Sequence, residues 1–375
     1  MLQTPPLPES LTPRERVRLA LDHQETDRIP ICLLCSGLEG TSGARLAEYL
    51  GVDEAGLERY LDRFIDLIIA NPGYRGPSAQ YRGPTLFRSN DEYEDVWGVR
   101  RRAISYGVSN YYEVNHYPLA DARDIADLDR HRWPQADWWD YSPLPDLIAQ
   151  ATAHRDYALC VFSGNLYERA WWMRGYEQSL LDMIDNPELF HEIMTRVTDF
   201  YIECTRRTLE AAGREIELAF TADDIAGQRG LLMSLPMWEE HIKTHHVRMN
   251  KVIHEYGTKV VYHSDGAVMD AIPGLMDMGI DVLQALQFSA DGMDPVVMKE
   301  RYGDRLCFEG GISVQTTLPF GSVEDVENEV RDYIHILGRS GGYILGPSHA
   351  IQSGTPPENI VAMFETALRC PMGRP

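Results

Sequence analysis

Short apolar runs alternate with longer stretches of helical periodicity along most of the chain. The apolar runs are rich in Val, Ile, Leu and aromatic residues without strict alternation, which is typical of parallel strands buried on both faces. Because helical stretches separate them, the pattern favours an α/β fold of the closed (β/α)8 TIM-barrel type over an open sheet. Eight runs are predicted as strands: Ile29–Cys35, Phe64–Ala70, Tyr157–Phe162, Glu215–Thr221, Lys259–His263, Asp281–Gln287, Arg305–Glu309 and Gly342–Leu345.

Two helices have clear sequence signals. Thr12, Pro13 and Glu15 form an N-cap, a first-turn proline and a capping-box glutamate. A longer helix is predicted to begin at Asn186-Pro187 and to end near Gly213, because its apolar positions recur every three or four residues. These positions are Leu189, Ile193, Val197, Phe200 and Cys204.

One segment, residues 72–141, interrupts the alternation of strands and helices. It is rich in Tyr, Trp, Arg and Asp, and its part DEYEDVWGVRRRAISYGVSNYYEVNHYPL is typical of an antiparallel hairpin. We therefore predict one barrel domain over residues 1–375 with an insertion at 72–141 near the barrel mouth. The insertion either covers the mouth or is a surface elaboration or dimer contact.

Composition and charge exclude several classes of partner. The formal net charge of -22 repels nucleic acid and anionic membranes. We find neither a signal peptide nor an apolar run long enough to span a membrane, so a cytoplasmic enzyme is expected. The six cysteines are scattered, and Cys32 and Cys35, although spaced as CxxC, lie in an apolar run and are interpreted as core residues rather than a redox or zinc pair.

Polar residues follow several predicted strands, where the loops of a barrel enzyme carry its chemistry. Asp223 and Asp224 follow the fourth strand and are candidate catalytic groups, although one of them is expected to cap the next helix and pair with Arg229. Further candidates for contacting substrate follow the third, fourth and sixth strands; they are Asn165, Tyr167, Trp171, Gln228, Arg229 and Gln287. Trp171 and its neighbour Trp172 are equally compatible with core packing.

Three later strands end in residues that bind metals. His263, Glu309 and His349 come from three strands near barrel closure, and two imidazoles with one carboxylate are typical of a catalytic zinc site. Asp265 is a further ligand or a catalytic group, and Tyr262 is a catalytic candidate beside it. A metal-free polar pocket is the alternative.

Together these segments resemble the uroporphyrinogen decarboxylase-like superfamily, which includes the decarboxylase and cobamide-dependent methyltransferases. The resemblance rests on RERVRLALDHQETDRIPI, DDIAGQRGLLMSLPMWEEHIK, YHSDG, FEGGISVQTTLPFGS and GGYILGPSHAIQSGTPPENI, and it spans nearly the whole chain. It implies a barrel, a homodimer and, for a methyltransferase, a corrinoid carried by a partner protein.

The chain departs from both branches of this superfamily. The decarboxylases carry an arginine-bearing segment after the first strand, whereas CLLCSGLEGTSGARL here contains only Arg45. Thiol-methylating members bind zinc through His-x-Cys and a later Cys, and Asp265 and His349 stand at the matching positions. This harder donor set suits a site that polarises the oxygen of a methoxy compound.

The leading hypothesis is therefore a methyltransferase that moves a methyl group between a small substrate and a corrinoid, with zinc. A cofactor-free decarboxylase is the first alternative; Asp223 or Asp224 would stabilise a protonated ring, and His349 or Tyr262 would position the acid. A non-catalytic binding barrel is the second alternative, disfavoured by the cost of burying ionisable residues without a use.

Overall fold

The computed structural model describes residues 5–35, 37–76, 84–89, 91–105, 107 and 110–372, except for the side chain of Phe87. In chain order, the strands in this part are β1 (Leu67–Ile69), β2 (Gly73–Tyr74), β3 (Thr85–Phe87), β4 (Glu92–Asp95), β5 (Arg100–Ser105), β6 (Asn110–His116), β7 (Trp139–Asp140), β8 (Ala158–Asn165), β9 (Leu218–Ala222), β10 (Ala226–Gly227), β11 (Gly230–Leu231), β12 (Lys259–His263), β13 (Val282–Ala285), β14 (Cys307–Ile312) and β15 (Tyr343–Pro347).

The helices alternate with the long parallel strands. Within the described ranges, the α-helices are α1 (Pro13–Leu21), α2 (Ser42–Leu50), α3 (Glu54–Asp62), α4 (Ile125–Asp129), α5 (Leu144–Thr152), α6 (Tyr167–Arg174), α7 (Tyr176–Asp185), α8 (Pro187–Ala212), α9 (Leu235–Trp238), α10 (Thr244–Glu255), α11 (Ile272–Asp277), α12 (Pro295–Tyr302), α13 (Thr317–Phe320), α14 (Val323–Leu337) and α15 (Pro357–Arg369). Two 3-10 turns (Ala136–Trp138 and Met269–Ala271) and a π-helical turn (Glu239–Lys243) complete them. None of these helices has the length and apolarity to cross a membrane.

Seven strands form one parallel sheet in the order β1-β8-β9-β12-β13-β14-β15. Its two edges meet at the first predicted strand, where Ile31 bridges Leu345 and Cys32 bridges Leu67, both in parallel. The ring therefore has eight strand positions, and the predicted TIM-barrel fold class is confirmed. The first position is reduced to these bridges, whereas β8, β14 and β15 run further than the sequence predicted.

Two apolar layers hold the barrel together. Inward-facing side chains such as Cys160, Phe220 and Val261 fill its interior. Outward-facing side chains such as Val161 and Val260 pack against the helices in the larger core. The predicted cap of α1 is present, since Thr12 accepts a hydrogen bond from the backbone N–H of Glu15 and the Glu15 side chain returns one.

The segment predicted as an insertion forms a four-stranded antiparallel sheet in the order β3-β4-β5-β6. The antiparallel pair of β2 and β7 brings the two ends of the segment together. Residues 77–83, 90, 106, 108 and 109 of this segment lie outside the described residues. Trp97 anchors the sheet on α8, with its ring centroid 4.9 Å from that of Phe200 and 5.6 Å from that of Tyr201.

Candidate active site

His263 is the centre of a polar cluster at the barrel mouth. It ends β12 and points inward, and its Nδ1 is hydrogen-bonded to Oε1 of Gln284 on the neighbouring strand. Because the amide oxygen accepts, Nδ1 carries the proton and Nε2 presents its lone pair to the mouth. Nε2 lies 3.7 Å from Oδ1 of Asp224 and 4.0 Å from Oδ1 of Asp265.

The two aspartates form one side of this cluster. Asp265 is tied to Asp224, whose Oδ1 accepts its backbone N–H at 2.8 Å. Burial lowers the pKa of His263, but the carboxylates of Asp265 and Asp224 outweigh this effect, so the pKa of His263 is raised. Burial also raises the pKa of Asp265. The mouth therefore favours a cation or a protonated imidazole.

Cys35 and His349 form the other side. The rings of His349 and His263 have centroids 5.7 Å apart, and one ligand atom from each of Cys35, His263 and His349 lies within 4.8 Å of the others. His263 forms a second such group with Asp224 and Asp265. A thiol and imidazoles are common zinc ligands, so the donor set fits zinc. Cys35 was interpreted from sequence as a core residue, and the structure places it at the mouth instead.

Glu309 does not join His263 and His349 as the sequence predicted. Strand β14 continues past it to Ile312, so the carboxyl group lies within the barrel interior and below the mouth. Its Oε1 accepts a hydrogen bond from Sγ of Cys32 at 2.9 Å, and its Oε2 has no hydrogen-bond partner among the described residues. Burial raises the pKa of Glu309 to about 8, against smaller opposing effects of Cys32 and Gln284.

Asp223 also has a structural position rather than the predicted catalytic one. It is fully buried, and its carboxylate accepts the backbone N–H groups of Tyr167 and Glu168 at 2.8 Å each. Nε2 of His246 contacts the same carboxylate at 2.5 Å. The prediction that one of the two aspartates caps the next helix and pairs with Arg229 is wrong for Asp223. Asp223 instead binds the N-terminus of the preceding helix, α6, and its side-chain partner is His246.

Tyr262 and Tyr167 point away from the mouth. Side chains alternate along a strand, so Tyr262 faces outward where His263 faces inward. Its hydroxyl donates to the backbone oxygen of Asp223 at 3.2 Å. Tyr167 is fully buried against Phe190. Neither residue is placed to touch a substrate at the mouth.

Glu168 is a mouth residue that the sequence prediction did not select. Its side chain accepts a hydrogen bond from Nδ2 of Asn165. Burial raises the pKa of Glu168 to about 8, and the nearby carboxylates of Asp224 and Asp223 add to the effect. The available signal was its place in the loop after the third predicted strand. Asn165, a predicted substrate contact, thus lies beside the cluster through Glu168.

Gln287 organises the turn after His263. Its Oε1 accepts the backbone N–H of Gly266 at 2.9 Å, and its Nε2 donates to Gln228 and Gln315 at 2.8 and 2.9 Å. Leu286 just before it has a positive φ of 59°, which aims the amide across the loops. Arg229, predicted with Gln228 to bind substrate, is exposed in the loop between β10 and β11.

A second feature near the mouth is an aromatic cavity of about 590 Å³. It lies between the insertion, the end of β8, α6 and α8. Trp172 lines it, whereas the predicted contact Trp171 packs against Trp172 and Tyr176. Phe162 connects the cavity with the polar cluster through Phe220, since its ring centroid lies 6.1 Å from that of Phe220, which lies 5.9 Å from that of His263.

Comparison with known families accounts for most of the chain. The family model described as Uroporphyrinogen decarboxylase (URO-D) matches residues 110–369. The chain belongs to the uroporphyrinogen decarboxylase family. The resemblance stated from the sequence motifs is therefore confirmed. The matched range includes His263 and His349, whereas Cys35 and the first half of the insertion lie before it.

Curated relatives match this chain over part of their length. A uroporphyrinogen decarboxylase of Crocosphaera subtropica is 25% identical over 183 residues, which are 48% of each chain. A chloroplastic uroporphyrinogen decarboxylase of Nicotiana tabacum is 30% identical over 118 residues, 31% of this chain and 28% of the relative. The match thus spans at most about half the length of these relatives.

A solved structure matches almost all of the chain. A methyltransferase from Methanosarcina mazei superposes with a TM-score of 0.65 at 18% identity, covering 96% of this chain and 98% of the other. At this identity the likeness supports the barrel fold. The proteins that resemble this chain therefore include both decarboxylases and a methyltransferase.

Proposed function

We propose that this URO-D family member is a methyltransferase that moves a methyl group between a small methoxylated substrate and a corrinoid carried by a partner protein. The observation that carries the proposal is the group of Cys35, His263 and His349, whose ligand atoms lie within 4.8 Å of one another beside Asp224 and Asp265. Zinc bound there would polarise the ether oxygen of the substrate. A homodimeric state belongs to the same proposal.

The donor set bears on the choice of metal. Sequence alone offered only nitrogen and oxygen donors at this mouth, whereas Cys35 adds a sulfur. One thiolate and two imidazoles leave the open position typical of catalytic zinc sites. Burial raises the pKa of the Cys35 thiol, so a metal that binds there displaces a proton.

The surrounding residues have separable roles. Gln284 fixes the tautomer of His263, and the carboxylates of Asp265 and Asp224 place negative charge beside its Nε2. Glu168, with a pKa of about 8, is protonated at neutral pH and can give its proton to a leaving oxygen. A reduced corrinoid on the partner protein would supply, from Co(I), the electron pair that accepts the methyl group, while the leaving oxygen would keep the pair of the broken methyl–oxygen bond and take the proton of Glu168.

Metal analysis and a methyl-transfer assay test the proposal together. We expect about one equivalent of zinc in purified protein, and substantially less in C35A and H349A. Loss of free cob(I)alamin absorbance with a methoxylated substrate should depend on the same residues. C370S is the matched cysteine control, because Cys370 follows α15 and belongs to neither the polar cluster nor the aromatic cavity. Zinc below ~0.2 equivalents with full methyl transfer would contradict the metal assignment.

Decarboxylation is the second candidate, because the curated relatives are uroporphyrinogen decarboxylases. The acidic mouth weighs against it, since Asp224 and Asp265 repel a substrate that carries several carboxylates. Arg45, the arginine after the first strand, donates to the backbone oxygen of Ser353. Stepwise release of carbon dioxide from uroporphyrinogen, without methyl transfer to cob(I)alamin, would favour this function instead.

A further inference from the structure

The aromatic cavity has walls that suit a planar ring. Its volume of about 590 Å³ is within the usual range for small-molecule sites. The walls come from the insertion on one side and from β8, α6 and α8 on the other. Its aromatic lining residues are Tyr74, Tyr93, Trp97, Trp139, Phe162, Trp172, Phe200 and Tyr201.

The cavity also carries a surplus positive charge. Among the described lining residues, the charged ones are Asp95, Arg101 and Arg169. Both guanidinium groups donate to the same oxygen of Asp95, at 3.0 and 2.6 Å. The other oxygen of Asp95 accepts the backbone N–H groups of Trp97 and Val99. One carboxylate therefore faces two cations, and it is already saturated with donors.

The two arginines are held in place before any ligand binds. Trp172 lies beneath both, with its ring centroid 4.7 Å from the guanidinium carbon of Arg101 and 4.8 Å from that of Arg169. Arg169 also lies 5.2 Å from the ring of Trp97. Its Nε is buried and has no hydrogen-bond partner among the described residues. A rigid guanidinium with a spare donor suits a carboxylate, which can accept two such bonds.

We propose that this cavity binds an aromatic carboxylate, with the ring among the tryptophans and the carboxylate on Arg101 and Arg169. Helix α6 connects this site to the mouth, because Glu168 belongs to the polar cluster and the next residue, Arg169, belongs to the cavity. That the ligand is the methyl donor, a methoxylated aromatic carboxylate, rests on the proposed function.

Binding can be measured without metal or corrinoid. The full chain, treated with a chelator, is titrated with 4-methoxybenzoate, and quenching of tryptophan fluorescence reports occupancy because three tryptophans line the cavity. We expect R101Q to bind 4-methoxybenzoate about tenfold more weakly or worse, and R101K to bind it with intermediate affinity. The neutral analogue methoxybenzene should change by less than about threefold, since it makes no charged contact.

R100Q is the matched control. Arg100 neighbours Arg101 on β5, but its Nε donates to Glu94 at 2.9 Å and it does not line the cavity. Equal weakening in R100Q and R101Q would overturn the proposal. So would wild-type protein that binds methoxybenzene as tightly as 4-methoxybenzoate, a comparison that needs no variant to fold.

The outcome separates this inference from the proposed function. Binding of 4-methoxybenzoate without methyl transfer to cob(I)alamin would support the cavity site and overturn the assignment of its ligand as methyl donor. Methyl transfer from methanol, with no binding of 4-methoxybenzoate, would overturn the cavity site and leave the methyltransferase intact.

Discussion

The sequence predicted that Glu309 binds zinc, whereas the structure places it apart from the proposed zinc ligands. Its carboxyl group is in the barrel interior, and Cβ on Gly346 would come within 2.6 Å of its Oε1, so the space around it is closed. We expect E309Q to keep its zinc, because Glu309 is not within reach of the Cys35–His263–His349 group. Metal content of E309Q and H349A, measured side by side, checks this. Equal loss in both would restore Glu309 as a ligand.

The raised pKa of Glu309 predicts that the stability of the wild-type protein depends on pH and that E309Q removes this dependence. The pKa of Glu309 is about 8 in the folded chain, above the ordinary value of 4.5 expected on unfolding. The contribution of protonated Glu309 to the free energy of unfolding is therefore complete below pH 4.5. It is lost as the pH rises to about 8, by up to about 1.4 kcal/mol per pH unit. Urea denaturation between pH 5 and 8.5 should show E309Q gaining stability relative to wild type. Parallel profiles for the two proteins would refute the assignment.

Single residues show where sequence reasoning worked and where it failed. Residues after strands converge in a barrel, and this rule brought His263, Asp265 and His349 together. It could not give their depth or direction, because strand bounds were uncertain by a few residues. Tyr262 faces outward because side chains alternate along β12, whose bounds were predicted correctly, and three more residues of β14 leave Glu309 inside. Cys35 lay in an apolar run whose burial suggested only packing.

At the scale of elements, β8 contains a bulge that positions α8 and the cavity wall. Its register with β9 shifts between Phe162 and Gly164, and Gly164 has a φ of +121°. A Cβ at this position would lie 2.4 Å from the ring of Tyr201 on α8. We expect G164A to lower the free energy of unfolding by about 3 kcal/mol or more, from backbone strain and overpacking together.

G51A is the control for the backbone part of this cost. Gly51 also has a positive φ, +66°, at the end of α2, but a Cβ there would meet no atom within 4 Å. We expect G51A to cost only about 1 kcal/mol. Urea denaturation of both variants measures the difference. Similar costs would show that contact with Tyr201 contributes nothing.

Elements were easier to predict than their ends. Every predicted barrel strand coincides with an observed strand or bridge. These strands could be recognised because a strand buried on both faces is apolar along its whole length. Gly310 and Gly311 lie beyond the predicted end of their strand, whereas in the structure they continue β14 with positive φ values of 101° and 102°. At Gly310 only a glycine fits, since a Cβ would lie 2.7 Å from the backbone oxygen of Ala285.

For the whole molecule, barrel closure was predictable and the cavity was not. Closure follows from eight strands separated by helices, a pattern that local composition reveals. The cavity arises from contacts between the insertion and α8, which are distant in sequence, and no local pattern encodes such pairings. The charges of Asp95, Arg101 and Arg169 became informative only once the fold placed them on one wall.

For the whole molecule, a buried ion-pair network lies where the first strand position closes the ring. Asp66 just before β1 is fully buried and accepts hydrogen bonds from Arg16 at 2.6 Å, from Arg28 at 2.7 and 3.0 Å, and from the backbone N–H of Ile31 at 3.0 Å. D66N leaves Arg28 with only the half-exposed Glu9 as counter-charge and leaves Arg16 with Asp27 alone among its buried partners, and we expect it to cost about 3–5 kcal/mol. E9Q should cost less than about 1 kcal/mol, because Glu9 contacts Arg28 from an exposed position. Urea denaturation decides between them, and a D66N variant as stable as E9Q would mean that the network does not hold the first strand in the ring.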